Sequence, residues 1–299
     1  MKRALTVLLS AVMMVSLFHP VSALPAEPTE AGMMFGGQWT PVNNTSAQVT
    51  ELGDLKTVVE VFTATWCTNC VDVEHALEDV QAAGLLQQYH VHRSIGETQD
   101  PFGTDDLDQR WKDKYGHDSP PTVVLNGSMK KIGSVADDGT LENEFTNLAN
   151  TDLGLGNGTT SFSWTPTGAQ SGTVAWNLDI GEQMLEGHDL HVTVWWVEAH
   201  ADFEEGTNGL GTYPHIVHAI VDLGDALNGT ASLTVPEAHD GSDMEVHLIY
   251  ELSPLEMMVN PAPPLVDDDE AMPWVSAWSS MAAVVAVAFT RRPRHPQQD

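Results

Sequence analysis

Residues 57 to 70 read Thr57-Val58-Val59-Glu60-Val61-Phe62-Thr63-Ala64-Thr65-Trp66-Cys67-Thr68-Asn69-Cys70. The β-branched, largely apolar run at the start predicts a strand over 57 to 63. After Cys70, the apolar residues Val73, Ala76, Leu77 and Val80 recur at helical spacing until Gly84 stops the run. The stretch therefore reads as a strand, a tight turn carrying Cys-x-x-Cys, and a helix. A cysteine at a helix start is chemically special, because unsatisfied backbone amides and the helix dipole stabilise a thiolate and lower the thiol pKa from about 8.5. Cys67 is the expected nucleophile. Cys70, one turn later and more buried, is expected to reach back and resolve a mixed disulfide with a substrate.

These are the only two cysteines among 299 residues, so the chain has no structural disulfide framework. A four-ligand zinc site needs two further ligands, and the flanking strand and helix offer no obvious pair. Neither a metal nor any other cofactor is expected at the cysteines. Further on, the pattern predicts a strand over 89 to 95, a polar helix over 105 to 115 with Leu107 and Trp111 on its buried face, and a strand over 122 to 125. Asn126-Gly127-Ser128 turns the chain into a strand over 131 to 135, and a helix over 141 to 148 closes a first domain assigned to 51 to 152.

From Gly154 the texture changes to strand-length segments separated by turn residues: 159 to 164, 172 to 178, 190 to 197, 216 to 223, 231 to 235 and 245 to 252. Many short strands at this spacing predict an all-β, immunoglobulin-like sandwich over 153 to 252, with Trp176 and Trp195 or Trp196 in its core.

The two ends read as targeting segments. Met1-Lys2-Arg3, an apolar stretch and Val21-Ser22-Ala23 have the form of a secretory signal peptide over 1 to 23, a retained short anchor being the alternative. Residues 24 to 50, rich in Pro, Gly, Thr and Asn, read as a linker. Residues 253 to 271 hold four prolines and an acidic run, the composition of an extended spacer. Residues 272 to 290 are uncharged and about long enough for a transmembrane helix, a sorting signal or surface-lying helix being the alternative. Arg291-Arg292-Pro293-Arg294 opens a cytoplasmic tail over 291 to 299 and implies a single pass through the cell membrane with the body outside. Asn43, Asn44, Asn126, Asn157 and Asn228 each begin an N-x-S/T triplet.

The formal net charge is -30, and no Lys or Arg occurs between Lys131 and Arg291. Nucleic acid and anionic lipid are therefore poor partners for the body, since both require a basic surface, and no nucleic acid is expected. Dense surface carboxylates fit salty surroundings, where their repulsion is screened.

Trp66 to Cys70, taken with Pro121-Thr122, resembles the thioredoxin superfamily over about residues 52 to 150. Residues 62 to 67, Asp100-Pro101-Phe102-Gly103-Thr104 and Tyr213-Pro214-His215-Ile216-Val217-His218 resemble, more loosely, secreted envelope-associated thioredoxin-like proteins with a C-terminal β-sandwich. The resemblance implies an α/β thioredoxin fold, and a cis Pro121 that lies against the disulfide and, with Trp66, meets an extended substrate. There are departures. The family's buried carboxylate, six residues before the first cysteine, is replaced by Val61, and Glu60 should face the other side of the strand. Asp72 and Glu74 follow the second cysteine, where acids oppose thiolate formation unless His75 turns toward the site.

His188, His191, His200, His215 and His218 raise a metal site as an alternative use of the second domain, as do Asp222, Asp225 and residues 267 to 269 for calcium. The expected function is a membrane-anchored thiol–disulfide oxidoreductase whose partners are exported protein thiols or disulfides and a further redox partner. The alternative is a non-catalytic cell-surface binding protein with a structural disulfide.

Overall fold

The computed structural model describes residues 23 to 117 and 119 to 255, which form one compact unit. Thirteen strands and four α-helices are present among them. In chain order these are β1 (Glu27–Pro28), β2 (Met33–Pro41), β3 (Ser46–Glu51), β4 (Thr57–Thr63), α1 (Thr68–Ala82), β5 (Leu86–His92), α2 (Asp105–Tyr115), β6 (Thr122–Leu125), β7 (Met129–Ile132) and α3 (Leu141–Ala149). They continue with β8 (Thr159–Gly168), β9 (Ser171–Asp179), α4 (Glu182–Leu185), β10 (His188–Asp202), β11 (Thr212–Asp222), β12 (Asn228–Thr234) and β13 (Met244–Pro254).

Nine strands make one mixed sheet in the order β1-β7-β6-β4-β5-β11-β10-β13-β2, and four make a second sheet, β12-β9-β8-β3. The join within the large sheet is a parallel pairing of β5 with β11, at His90 and Ile216. Three cores follow from which faces are covered. Val59, Val61, Leu86 and Val123 on the large sheet pack against Val73, Leu77 and Val80 of α1 and Phe145 of α3. On the opposite face, Phe62, Tyr89, Trp195 and Val217 pack against Leu107, Trp111 and Tyr115 of α2. Between the two sheets, Phe162, Trp164 and Trp176 meet Val194, Trp196, Leu248 and Tyr250. Adjacent Trp195 and Trp196 thus enter different cores, as alternation along a strand requires.

α2 shows why its bounds are sharp. The Thr104 side chain accepts from the Leu107 N–H, three acids occupy the first turn, and Gly116 ends the helix in the left-handed region at φ 63°.

Several sequence expectations are corrected here. An α/β thioredoxin fold followed by a separate immunoglobulin-like sandwich is not the architecture: the chain is predominantly β, and the strands around the cysteines share one continuous sheet with β10, β11 and β13. The boundary at 152 and 153 accordingly divides no two bodies. Residues 24 to 50 are not a linker, because β2 pairs along β13 and β3 along β8. The β2 strand escaped notice because both of its faces are covered, with Met34 and Phe35 entering different cores, so no polar alternation marks it. Residues 1 to 22 and 256 to 299, with most of the signal peptide, most of the spacer and all of the transmembrane segment and tail, lie outside the described residues. Among the described residues no helix is long and apolar enough to cross a membrane.

Candidate active site

β4 ends at Thr63, and four residues turn the chain into α1. The Cys67 N–H donates to the Ala64 carbonyl at 2.9 Å, and the Cys70 N–H donates to the Cys67 carbonyl at 3.1 Å. Cys67 stands in the cap position of α1 in extended conformation. Its sulfur is bonded to that of Cys70, with the two Cα atoms 5.3 Å apart. Cys67 keeps 5% of its surface and Cys70 none, so attack from outside is confined to Cys67.

The turn is held from two sides. On one side, the Asp100 carboxylate accepts the Thr65 N–H at 2.8 Å and the His92 Nδ1–H at 2.8 Å through the same oxygen, while its other oxygen accepts the Phe102 N–H. Burial pushes the Asp100 carboxyl up, but the His92 ring and the donated hydrogen bonds outweigh it and hold the pKa below the usual carboxylate range. On the other side, the Thr65 carbonyl accepts the N–H groups of Thr207 and Asn208 at 3.0 and 3.1 Å, with the Tyr213 hydroxyl 3.3 Å away. The Tyr213 hydroxyl makes its shorter bond to Asn208 Oδ1, at 2.8 Å. Phe102, Ala201, Tyr213 and Ile216 pack beneath these contacts. Burial raises the Tyr213 phenol to about 12, with Asp100 and Glu74 adding to the rise.

Gly206 shows how close the β10–β11 loop comes. A Cβ there would sit 1.9 Å from Tyr213 Oη and 3.2 Å from the Thr65 carbonyl oxygen. The β10–β11 loop is therefore one wall of the cysteine turn.

Trp66 is partly exposed beside the disulfide, and its indole N–H donates to Glu97. The Pro120–Pro121 peptide is cis. Thr122 pairs with Phe62, which puts Pro121 across from Thr63 at the cysteine end of β4. The Pro121 carbonyl already accepts the Gly133 N–H at 2.9 Å, and Pro120 has no N–H, so the expected backbone contacts with an extended substrate are reduced.

The acids near the cysteines separate sharply. Asp72 is exposed, whereas Glu74 is 2% exposed and accepts the Thr63 hydroxyl. Burial raises its carboxyl pKa, against the lowering pull of the Thr63 hydrogen bond and of His92. His75 is exposed on the helix. Glu60 does face away from α1: it is buried on the α2 side, accepting Arg110 Nη1 at 2.7 Å and the Tyr115 hydroxyl. Burial raises its pKa, but Arg110, Lys114 and the Tyr115 hydrogen bond together hold it below the ordinary value.

The histidines do not assemble as one group. His188 and His191 are exposed at the start of β10, and His218 bonds Glu198 at 2.6 Å. His215 lies with its ring 5.8 Å from that of His90 and 6.4 Å from that of His200, and burial followed by His247 and His200 lowers its pKa to about 4. Among the described residues no group of three or more His, Cys, Asp or Glu is placed to hold a metal ion. The Asp222 side chain is occupied as a turn acceptor for the Gly224 N–H.

No family model matches the sequence, and no curated protein matches it. Two solved structures are similar in part. Protein AGR_C_4864 from Agrobacterium tumefaciens is 18% identical with a TM-score of 0.40, over 66% of this chain and 93% of that one. HBP35 of Porphyromonas gingivalis is 22% identical with a TM-score of 0.43, over 67% of this chain and 64% of that one. Such low likeness carries no argument about fold or activity. The expected membership of the thioredoxin superfamily is not upheld by the strand-dominated fold, whose cysteine-bearing strands share one mixed sheet with β10, β11 and β13.

Three groups at the site escaped the sequence reading: Glu74 as a buried acid, the His92–Asp100 pair, and Tyr213. Glu74 was within reach, since it falls on the helix face set by Cys70, Val73, Leu77 and Val80. The other two are joined to the turn only through folding.

Proposed function

We propose that the chain is a thiol–disulfide oxidoreductase working outside the cytoplasm on protein thiols or disulfides. One observation carries the reading: the cysteine pair lies at a helix N-terminus with Cys67 at the cap and Cys70 fully buried one turn along. That placement gives the two sulfurs unequal tasks. The α1 amides stabilise negative charge on Cys67, which makes it both a better leaving group from the disulfide and the attacking thiolate after reduction. The buried Cys70 cannot meet a protein substrate and serves to release it. Trp66 offers a partly exposed aromatic face beside the disulfide for the partner's chain. A position outside the cytoplasm rests on the signal-like residues 1 to 23.

The test is the order of alkylation after reduction of the folded chain. Iodoacetamide at neutral pH should label Cys67 first, and Cys70→Ala should trap mixed disulfides with protein substrates while Cys67→Ala should not. A Cys67 that stays unlabelled, or trapping that does not depend on Cys67, favours a purely structural disulfide.

A further inference from the structure

The two sheets protect their free edges differently. An edge strand leaves a row of backbone N–H and C=O groups unpaired, and a second chain can add to it unless charge, proline, a bulge or short length prevents this. The large sheet has such devices: β1 is only two residues, Glu27 and Pro28, and β2 shifts register opposite Leu248 and Ile249 and ends at Pro41. The small sheet has almost none. Its edges are β3 and β12, paired to β8 and β9 over six and seven residues without a shift in register. Neither contains proline, β12 carries no charge, and β3 carries only Glu51 at its end.

The outer face between those edges is equally bare. Ser161, Ser163, Thr173, Thr230, Ser232 and Thr234 lie on it, alternating with residues that face the core. The only charged residues in the four strands are Glu51 and Asp179, at one end of the sheet on either side of Thr159. In a chain of net charge -30 this face is the exception. Charge elsewhere on the molecule is no substitute, because repulsion between copies fades when the Debye length shrinks to about 3 Å at 1 M salt.

The N-x-S/T triplets fall around this sheet. Asn43 and Asn44 are exposed in the turn that enters β3, and Asn228 is exposed as the first residue of β12. Asn157 is exposed two residues before β8 and lies beside the far end of β3, where the Leu52 N–H donates to the Gly158 carbonyl at 2.9 Å. The remaining triplet starts at Asn126, which is buried and accepts the Val58 N–H. Asn228 and Thr230 both point outward, since side chains alternate along a strand. Between them, a Cβ at Gly229 would sit 2.4 Å from the Trp176 ring, so core packing selects the glycine while the outer face presents the asparagine and its hydroxyl together.

We propose that Asn228, Asn157 and the Asn43–Asn44 turn carry N-linked glycans, which guard the β3 and β12 edges against pairing with a second copy of the chain. The proposal goes beyond the exchange reading and takes from it only the position outside the cytoplasm. The glycosyl donor is an oligosaccharide carried on a lipid phosphate or diphosphate, and a separate transferase joins it to the chain. The bond from asparagine Nδ2 to the sugar C1 forms, the C1–O bond to the lipid phosphate breaks, and one amide proton is released; nothing is oxidised or reduced. A glycan is bulky and hydrated. Attached at Asn228, it sweeps the free edge where an incoming strand would have to lie about 4.8 Å away.

The full-length chain is isolated from the cells that make it and cut with a glutamate-specific protease, since trypsin finds no Lys or Arg between Lys131 and Arg291. Peptides containing Asn43 with Asn44, Asn157 and Asn228 should each carry glycan mass, and the peptide containing Asn126 should not. The chain is then produced without glycans and followed by sedimentation from low to high salt. It should shift from monomer to dimer and larger species as salt rises, while the glycosylated chain stays a monomer. Val49→Lys with Ser232→Lys, both exposed on the edge strands, should restore the monomer without glycans. An unmodified Asn228 in the exported chain overturns the modification and leaves the exchange reading intact, because mixed-disulfide trapping at Cys67 in the same preparation tests that reading by itself. A chain recovered in the cytoplasm overturns the modification together with the assigned location. A glycan-free chain that stays monomeric at high salt overturns the guarding of the edges.

Discussion

If the β10–β11 loop is a wall of the cysteine turn, a methyl group placed at Gly206 should disturb Cys67, and removing one oxygen elsewhere should partly cure the damage. A Cβ at 206 would meet Tyr213 Oη at 1.9 Å and Cζ at 3.0 Å, against about 3.5 Å for unstrained heavy atoms. Tyr213 is 2% exposed and cannot swing away, so Gly206→Ala must lift the loop. That breaks the Thr207 and Asn208 hydrogen bonds to Thr65, at about 1 kcal/mol each, on top of about 1–3 kcal/mol for overpacking. The expected loss is about 3–5 kcal/mol. Tyr213→Phe alone should cost about 1 kcal/mol: one O–H donor is lost, but Asn208 Oδ1 keeps the Leu210 N–H and Thr65 keeps both amides, so no acceptor is stranded. In the double variant the struck oxygen is gone, and the combined loss should fall short of the sum by about 1–2 kcal/mol. Guanidinium unfolding of the four proteins measures this, and Cys67 alkylation after reduction measures the effect on the site. Gly206→Ala should change the alkylation rate several-fold, with partial recovery in the double variant. Additivity within about 0.5 kcal/mol, or alkylation indifferent to Gly206→Ala, refutes the contact between loop and turn.

Other outcomes follow from the buried charges and polar groups. Glu60→Ala leaves the Arg110 guanidinium without its partner, and because 24% of the Arg110 side chain stays exposed the loss should lie near about 3 kcal/mol by thermal or chemical unfolding. The depressed Glu60 pKa gives stability that is present above the unfolded value of about 4.3 and is lost as pH falls through the folded one; Glu60→Gln should therefore flatten the acid side of the stability profile. Glu74 has the opposite sign. Its raised pKa means that stability falls as pH rises from about 4.3 through the folded pKa, so Glu74→Gln should be more stable than the unmodified chain at neutral pH and not at pH 4, as read from paired melting curves. Asn126 is buried with its Oδ1 accepting the Val58 N–H at 2.8 Å, so in the folded chain it should carry no glycan in peptide mapping. Asn126→Ala should cost about 1–3 kcal/mol by stranding that amide.

Local patterns placed some elements around the cysteines closely, because their signals lie within a few residues, whereas the strands expected over 89 to 95 and 131 to 135 lie at Leu86–His92 and Met129–Ile132. The strand over 57 to 63 is a β-branched run, and the helix over 105 to 115 is bracketed by Thr104 and Gly116. The sheet's continuity had no such signal. β5 meets β11 through His90 and Ile216, far apart in sequence, and a parallel pairing leaves no turn to announce it. The same applies to the clamp on Thr65: Tyr213 and Asp100 stood out as residues, but only folding shows that both grip one peptide unit. Glu74 and Asp72 are alike as acids in the sequence, and only the helical period, which sets Glu74 beside Cys70, Val73, Leu77 and Val80, separates the buried one from the exposed one.

The most direct test of the central claim is the reduction potential of the Cys67–Cys70 pair in the full-length chain, titrated against glutathione with the Cys67 thiol pKa measured on the same sample. An exchange centre should give a potential above about -270 mV and a Cys67 pKa below about 8.5. A potential below about -300 mV, with Cys67 unreactive near neutral pH after reduction, would contradict it and leave a structural disulfide.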